Sequence, residues 1–252
     1  MDLGIADKRV LVTGASQGIG RAIALALARE GCRIAAVARG EERLREAVEA
    51  MGGRKAGHEY VAADLMEEGA PKRVARRLLE RGGPVEIVVH NVGGTLEARD
   101  PLAPVEDWAR VWRFNVGIAI EMNAVLIPPM QERGWGRVIH VSSLAAEQLR
   151  GCGPYGAAKA YLNAYTKVLG RAVAPTGVVV TAIMPGAVLA EGGHWDWVQR
   201  QKPAVLADYL RHHQATGRLG TPEEIAPFAV FLASQQVTFA QGSVVPVDGG
   251  TM

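Results

Sequence analysis

Arg9-Val10-Leu11-Val12-Thr13-Gly14-Ala15-Ser16-Gln17-Gly18-Ile19-Gly20 is the stretch that decides the fold. A β-branched apolar run ends in a glycine turn, and a helical pattern begins inside that turn. Glycine gives the turn its φ freedom and lets a ligand come close to the backbone. A helix starting here directs free N–H groups and the positive end of its dipole at whatever lies in front, an arrangement suited to a pyrophosphate. A glycine cluster alone is weak evidence. Placed after the first strand of an alternating series, it is a dinucleotide signal.

That alternation runs outward through the chain. Strand-like runs recur at Arg33–Ala38, Glu59–Ala63, Ile87–His90, Arg137–Ser142, Val178–Met184 and Ser243–Val247. Several are apolar throughout, the mark of strands covered on both faces. Helical patterns lie between them, at Gly18–Glu30, Glu41–Met51, Pro71–Arg81, Val105–Gln131, Tyr155–Ala174 and Thr221–Ala233. Thr221-Pro222-Glu223-Glu224 supplies a cap residue, a first-turn proline and acids at the positive end of a helix. The prediction is an α/β fold: a doubly wound, mostly parallel, seven-stranded sheet with helices on both faces, made by right-handed crossovers. Val188 to Leu219 breaks the rhythm and is expected to form a flexible substrate flap over the carboxyl ends of the strands.

Bulk properties bound the rest. A chain of 252 residues, 48% of them hydrophobic, can bury one large core, so residues 1–252 are expected to form a single domain. The net charge of +2 gives no sign of a nucleic-acid or anionic-membrane partner. The two cysteines, Cys32 and Cys152, form no C-x-x-C pair, and a reducing cytoplasm is expected. The apolar stretch from Val173 to Ala190 is broken by Pro175, Gly177, Pro185 and Gly186, against a membrane helix. His212-His213 lacks a third ligand at metal spacing, so no metal site is expected. No base partners Cys152 in sequence, and no nucleophile role is expected there.

The second strand run ends Val37-Ala38-Arg39. An acid at this place would select a free ribose 2′-hydroxyl. Arg39 can instead pair with a 2′-phosphate, which favours NADP(H) over NAD(H).

Tyr155 and Lys159 lie four residues apart, on one face of a helix. A free phenol has a pKa of about 10. A neighbouring ammonium stabilises the phenolate and lowers that value, at about 1.4 kcal/mol per unit. Such a tyrosine can protonate a carbonyl oxygen or deprotonate an alcohol. Ser142-Ser143 ends the fifth strand run, where a hydroxyl can orient the same oxygen. Asn91-Val92-Gly93-Gly94 ends the fourth run, and Asn115 interrupts a helix interior that normally disfavours it.

These motifs, in this order, resemble the short-chain dehydrogenase/reductase family over the whole chain, in its branch of single-domain enzymes similar to 3-oxoacyl-[acyl-carrier-protein] reductases. The carriers are Thr13-Gly14-x-x-x-Gly18-x-Gly20, Asp64, Asn91-x-Gly93-Gly94, Asn115, Ser143, Tyr155-x-x-x-Lys159, Pro185-Gly186 and Val247-Asp248-Gly249-Gly250. The resemblance implies a Rossmann-type sheet and hydride transfer between NADP(H) and a carbonyl/alcohol pair of a small-molecule substrate. It implies Tyr155 as general acid/base and Lys159 as the residue that lowers its pKa and holds the nicotinamide ribose. It implies that Ser143 positions the reacting oxygen and that Asn115 supports a water beside Lys159. The implied cofactor residues are Gly14, Ser16, Gln17, Gly18, Ile19, Gly20, Arg39, Asp64, Leu65, Asn91, Gly93, Pro185, Gly186 and Val188, together with Tyr155 and Lys159. Substrate contacts are expected from Gly94, Leu149, Trp195 and Trp197. A homotetramer or homodimer is implied, joined through the helices of Asn115 and Tyr155 and the C-terminal strand region.

Three departures from the family pattern stand out. Ala190 occupies a place after Pro185-Gly186 where a threonine often touches the cofactor. Val92 replaces a common alanine. The interval to Tyr155 is 12 residues from Ser143 and 13 from Ser142, and Ser143 is the chosen residue. Two other readings stay open. The run His90 to Thr95 and the Trp-rich flap are similar to sugar-modifying members of the family from surface-glycan pathways. A dinucleotide-binding module without catalysis is the other reading.

Overall fold

The computed structural model describes residues 1–148 and 153–251. Its seven strands are β1 (Arg9–Thr13), β2 (Arg33–Ala38), β3 (Glu59–Ala62), β4 (Ile87–His90), β5 (Gly136–Val141), β6 (Val178–Pro185) and β7 (Val244–Val247). They form one sheet in the order β3-β2-β1-β4-β5-β6-β7, and every neighbouring pair is parallel. The order reverses between β1 and β4, so the carboxyl ends of those strands open a crevice suited to a ligand. β1, β4, β5 and β6 are buried along their whole length. This is why their sequences read as apolar runs without alternation.

The helices are α1 (Gly18–Arg29), α2 (Glu41–Ala50), α3 (Ala70–Gly82), α4 (Val105–Trp112), α5 (Ile118–Glu132), α6 (Ala145–Gln148), α7 (Gly153–Val173), α8 (His194–Gln201), α9 (Pro203–His212) and α10 (Pro222–Ala233). Two large apolar clusters lie on the two sides of the sheet. One joins β1 and β2 residues to α1, α2 and α10, and includes Ile23, Leu27, Leu44 and Ile225. The other joins the same strands to α3 and α5, and includes Leu78, Met122, Leu126 and Met130. Among the described residues no helix is long and apolar enough to cross a membrane.

The single helix expected over Val105–Gln131 is instead two helices joined by a π-helical turn, Arg113–Gly117. There the Ile118 amide bonds the Arg113 carbonyl, five residues back. That register leaves the Val111 carbonyl to the Asn115 side chain, which donates to it at 2.8 Å. The break therefore follows from a polar residue that competes with the helix for its own backbone. The segment from Val188 to Leu219 holds α8 and α9, which meet at Lys202-Pro203.

Candidate active site

The glycine turn rests on the end of β4. Gly14 and Gly18 have φ of 67° and 55°, a region few other residues adopt. A Cβ on Gly20 would stand 2.3 Å from the Gly14 carbonyl oxygen and 2.4 Å from Asn91 Nδ2. Asn91 Nδ2 donates to the carbonyls of Thr13 (3.1 Å) and Gly14 (3.3 Å), and the Asn91 amide donates to Thr13 Oγ1 at 3.0 Å. Asn91 thus stitches β4 to β1 beneath the turn. Among the described residues no side chain caps the N-terminus of α1, so its first amides stay available to a phosphate. This bare, glycine-lined helix start fits a dinucleotide pyrophosphate. A Cβ on Gly18 would also touch the Ala190 Cβ at 3.4 Å, which puts the start of the flap against the turn.

Arg39 and Asp64 follow β2 and β3 and line one cavity of about 750 Å³ along α3. Arg39 is exposed, and Asp64 Oδ1 accepts the Met66 amide at 2.9 Å. The side chain of Leu65 is turned into the core and is 3% exposed, which leaves only its backbone to face a ligand. Arg43, which the sequence reading did not single out, reaches from α2 to hydrogen-bond Gln17 Oε1 in the glycine turn. Its spacing of four from Arg39 on a helix start was the available signal.

The residues expected to carry the reaction lie about the ends of β4 and β5 and the start of α7. Lys159 is 3% exposed, and its ammonium donates to the Val141 carbonyl at 2.7 Å. Burial pushes its pKa down to about 7. Its Nζ stands 5.7 Å from the centre of the Tyr155 ring. Tyr155 is half-buried on the preceding turn of α7. A Cβ on Gly93 would meet Asn115 Oδ1 at 2.5 Å and Lys159 Nζ at 3.0 Å, so these three residues converge. Asn115 is buried and bonds both groups of the Gly94 backbone, accepting from its amide at 3.0 Å and donating to its carbonyl at 2.8 Å. Ser142 is buried, with its hydroxyl 3.4 Å from the Lys159 carbonyl. Ser143 is half-buried and accepts the Ala145 amide at 3.2 Å. The sheet alternation therefore turns Ser142 toward the helix and leaves Ser143 the more open of the two.

Pro185 ends β6 and Gly186 follows it. The Gly186 amide bonds the Val247 carbonyl at 3.1 Å, and a Cβ there would meet Asp248 at 2.8 Å. Val188 pairs with Gly220 in a parallel bridge. On the flap, Trp195 packs on Tyr209 with ring centres 4.3 Å apart, and His194 contacts both Trp195 and Trp197. His194 Nδ1 lies 3.3 Å from Arg99 Nη2, and the Arg99 carbonyl accepts the Gly153 amide at 3.3 Å. Arg99, a second residue missed in the sequence, thus joins the flap to the start of the helix that carries Tyr155. Leu149 and Cys152 lie outside the described residues. Among the described residues no group of three His, Cys, Asp or Glu side chains is arranged to hold a metal.

A family model described as "Enoyl-(Acyl carrier protein) reductase" matches residues 14–252. The chain belongs to the short-chain dehydrogenase/reductase family. It is similar to the 3-oxoacyl-[acyl-carrier-protein] reductase of Pseudomonas aeruginosa, at 32% identity over 98% of both chains. It is 34% identical to the acetoacetyl-CoA reductase of Rhizobium meliloti, over 95% of this chain and 96% of that one. Among solved structures it resembles the L-sorbose reductase of Gluconobacter frateurii complexed with NADPH and L-sorbose. That match has a TM-score of 0.90 at 33% identity, and covers 100% of this chain and 98% of that one. As a member of this short-chain family, the protein is an oxidoreductase acting on CH–OH groups.

Proposed function

We propose that this protein interconverts a carbonyl and a secondary alcohol of a small molecule with NADP(H). The observation that carries the reading is the convergence of Lys159, Gly93 and Asn115, with the Tyr155 ring 5.7 Å from the ammonium. The bound cofactor supplies or accepts the hydride. Tyr155 gives its proton to the carbonyl oxygen in reduction and takes it from the hydroxyl in oxidation. Lys159 supports the phenolate by its charge and holds the nicotinamide ribose. Ser143 orients the reacting oxygen. Asn115 fixes the Gly94 backbone and supports a water beside Lys159.

Gly14, Ser16, Gln17, Gly18, Ile19 and Gly20 hold the pyrophosphate through backbone amides and the dipole of α1. Arg39 and Arg43 offer two guanidinium forks to a 2′-phosphate, the basis for preferring NADP(H) over NAD(H). Asp64 and the Leu65 backbone meet the adenine. Asn91, Gly93, Pro185, Gly186 and Val188 line the nicotinamide end. The flap, with Trp195 and Trp197, moves as a lid over this pocket, whose substrate wall includes Gly94.

A 3-oxoacyl thioester is the first substrate class, by similarity to the two thioester reductases. A polyhydroxy ketone is the second, favoured by the flap. His194, Trp195, Trp197 and Tyr209 form one aromatic cluster with polar edges, and such surfaces stack on sugar rings. Assembly into a homotetramer would cover the exposed Phe228, Phe231 and Phe239 near the C-terminal strand, and the edge-to-face pair Trp112–Tyr161 on α4 and α7. Sedimentation velocity tests this, and a stable monomer would count against it.

The functional test is a reductase assay with NADPH and NADH separately, over 3-oxoacyl thioesters, ketoses and simple ketones. Turnover with NADPH in excess of NADH is expected. Tight NADPH binding with no turnover on any of these classes would favour a non-catalytic dinucleotide-binding module.

A further inference from the structure

Two imidazoles lie buried under the catalytic helix. His90 on β4 and His140 on β5 are register partners, with ring centres 5.4 Å apart and planes inclined by 29°. They are 4% and 0% exposed. Asn123 of α5, itself 2% exposed, bridges them: Oδ1 lies 2.8 Å from His90 Nε2, and Nδ2 lies 3.3 Å from His140 Nε2. The same amide donates to the Tyr165 hydroxyl at 3.2 Å. On its other side, His140 Nδ1 stands 2.8 Å from Thr166 Oγ1.

Counting protons gives the array a direction. The single hydroxyl proton of Thr166 goes to the Leu162 carbonyl at 2.8 Å. Thr166 Oγ1 must then accept, so His140 carries its proton on Nδ1 and presents a lone pair at Nε2. The Asn123 amide nitrogen donates to that lone pair. Its oxygen is left to accept from His90, whose proton therefore sits on Nε2. Among the described residues, His90 Nδ1 ends the array as a buried atom without a hydrogen-bond partner. Both rings are neutral in this arrangement: burial first, and then the charges of His90 and Lys159, disfavour a cation at His140.

The array ties together every element that carries a reacting group. β4 leads from His90 into Asn91 and Gly93. β5 leads from His140 into Val141, whose carbonyl holds Lys159, and on to Ser143. α7 carries Leu162 and Thr166 on the face of Lys159, three and seven residues further along. α5 carries Asn123 eight residues beyond Asn115. Apolar contact alone would hold these elements together without a fixed register, because burial is non-directional. Hydrogen bonds of fixed length and direction set the register.

We propose that His90, Asn123, His140 and Thr166 are positioning residues: their hydrogen-bonded array fixes α5 and α7 against β4 and β5, and so fixes where Lys159 and Tyr155 stand. The inference rests on the Tyr155–Lys159 reading above. Thr166→Val keeps the side-chain shape and removes both hydrogen bonds. It is expected to lower kcat by about tenfold, inside the hundredfold that a misplacement of about 1 Å can cost. It should also shift the pH at which kcat titrates, and Thr166→Ser should restore both. If Thr166→Val does not fold, His90→Asn breaks the first link and carries the same expectation. Nitrogen NMR of the wild-type protein at neutral pH gives a readout that needs no turnover: His140 protonated at Nδ1 alone, His90 at Nε2 alone. A folded Thr166→Val enzyme with the wild-type kcat and pH profile would overturn the proposal, as would either ring in the opposite tautomer. Tyr155→Phe separates the two levels. If that variant keeps its activity, the catalytic reading itself fails, whatever the array does.

Discussion

The ammonium of Lys159 donates to the carbonyl oxygen of Val141 across 2.7 Å, at the end of β5 and one residue before Ser142. A carbonyl gives the cation a hydrogen-bond partner but supplies no opposite charge itself. Burial then pushes its pKa from 10.5 down to about 7. In the free enzyme, the charge proposed to support the Tyr155 phenolate is lost as pH rises through about 7. The pH profile of kcat/KM for carbonyl reduction is therefore expected to fall on the alkaline side of that value. Lys159→Met should reduce kcat/KM on the order of a hundredfold or more and flatten this limb, since a general acid then works without its electrostatic support. Steady-state kinetics across pH check both points. An alkaline limb unchanged in Lys159→Met would assign the ionisation elsewhere.

The buried histidine pair makes an acid-stability prediction. Burial lowers His90 from 6.5 to about 4 and moves His140 well below its ordinary value. Both sites bind protons more weakly folded than unfolded. Their contribution to stability is complete above about 6.5 and is lost as pH falls toward about 4. Thermal melts of the wild type and of a His90→Asn/His140→Asn variant, compared over this window, isolate the term. The wild-type Tm is expected to drop more steeply on acidification. Parallel curves would mean that the pair does not titrate on unfolding.

Gly93 tests the convergence at the active site directly. An added methyl group would stand 2.5 Å from Asn115 Oδ1 and 3.0 Å from Lys159 Nζ, and both neighbours are buried and hydrogen-bonded. Gly93→Ala is expected to cost catalysis on the order of a hundredfold by displacing one of them. Gly134→Ala serves as the comparison: a Cβ there meets nothing within 4 Å, although its φ of 68° carries backbone strain. Equal activity in the two variants would argue against a shared role for Gly93, Asn115 and Lys159.

Arg39 and Arg43 bear on cofactor choice. Arg39→Asp places a carboxylate where a 2′-phosphate would lie, and is expected to move preference from NADP(H) toward NAD(H). Arg43→Ala should weaken NADPH binding more than NADH binding. Ratios of kcat/KM for the two cofactors decide it. Unchanged ratios in both variants would mean that neither side chain reads the phosphate.

The sheet was legible because its strands announce themselves: β1, β4, β5 and β6 are covered on both faces, and their apolar runs predicted their positions to within one residue at most ends. The turn glycines were legible for the same kind of reason, since positive φ and lack of space leave few alternatives. The break at Arg113–Gly117 was not. Asn115 looked anomalous in a helix, but only the structure pairs it with Gly94 and Val111. Arg99 was invisible because its meaning lies in a 3.3 Å contact with His194, 95 residues away. His90 was read only as the start of the run to Thr95, and His140 only as a strand residue, since register pairing between β4 and β5 is what stacks them. Periodicity reports which face a residue occupies, not which distant residue shares it.

Turnover by Tyr155→Phe shows most plainly whether this tyrosine is the general acid. The substitution removes one hydroxyl and keeps the ring beside Lys159, so NADPH binding should be retained. Reduction of a substrate turned over by the wild type is expected to fall by roughly two to four orders of magnitude, the usual worth of a positioned general acid. A variant that binds NADPH and reduces that substrate at the wild-type rate would contradict the account.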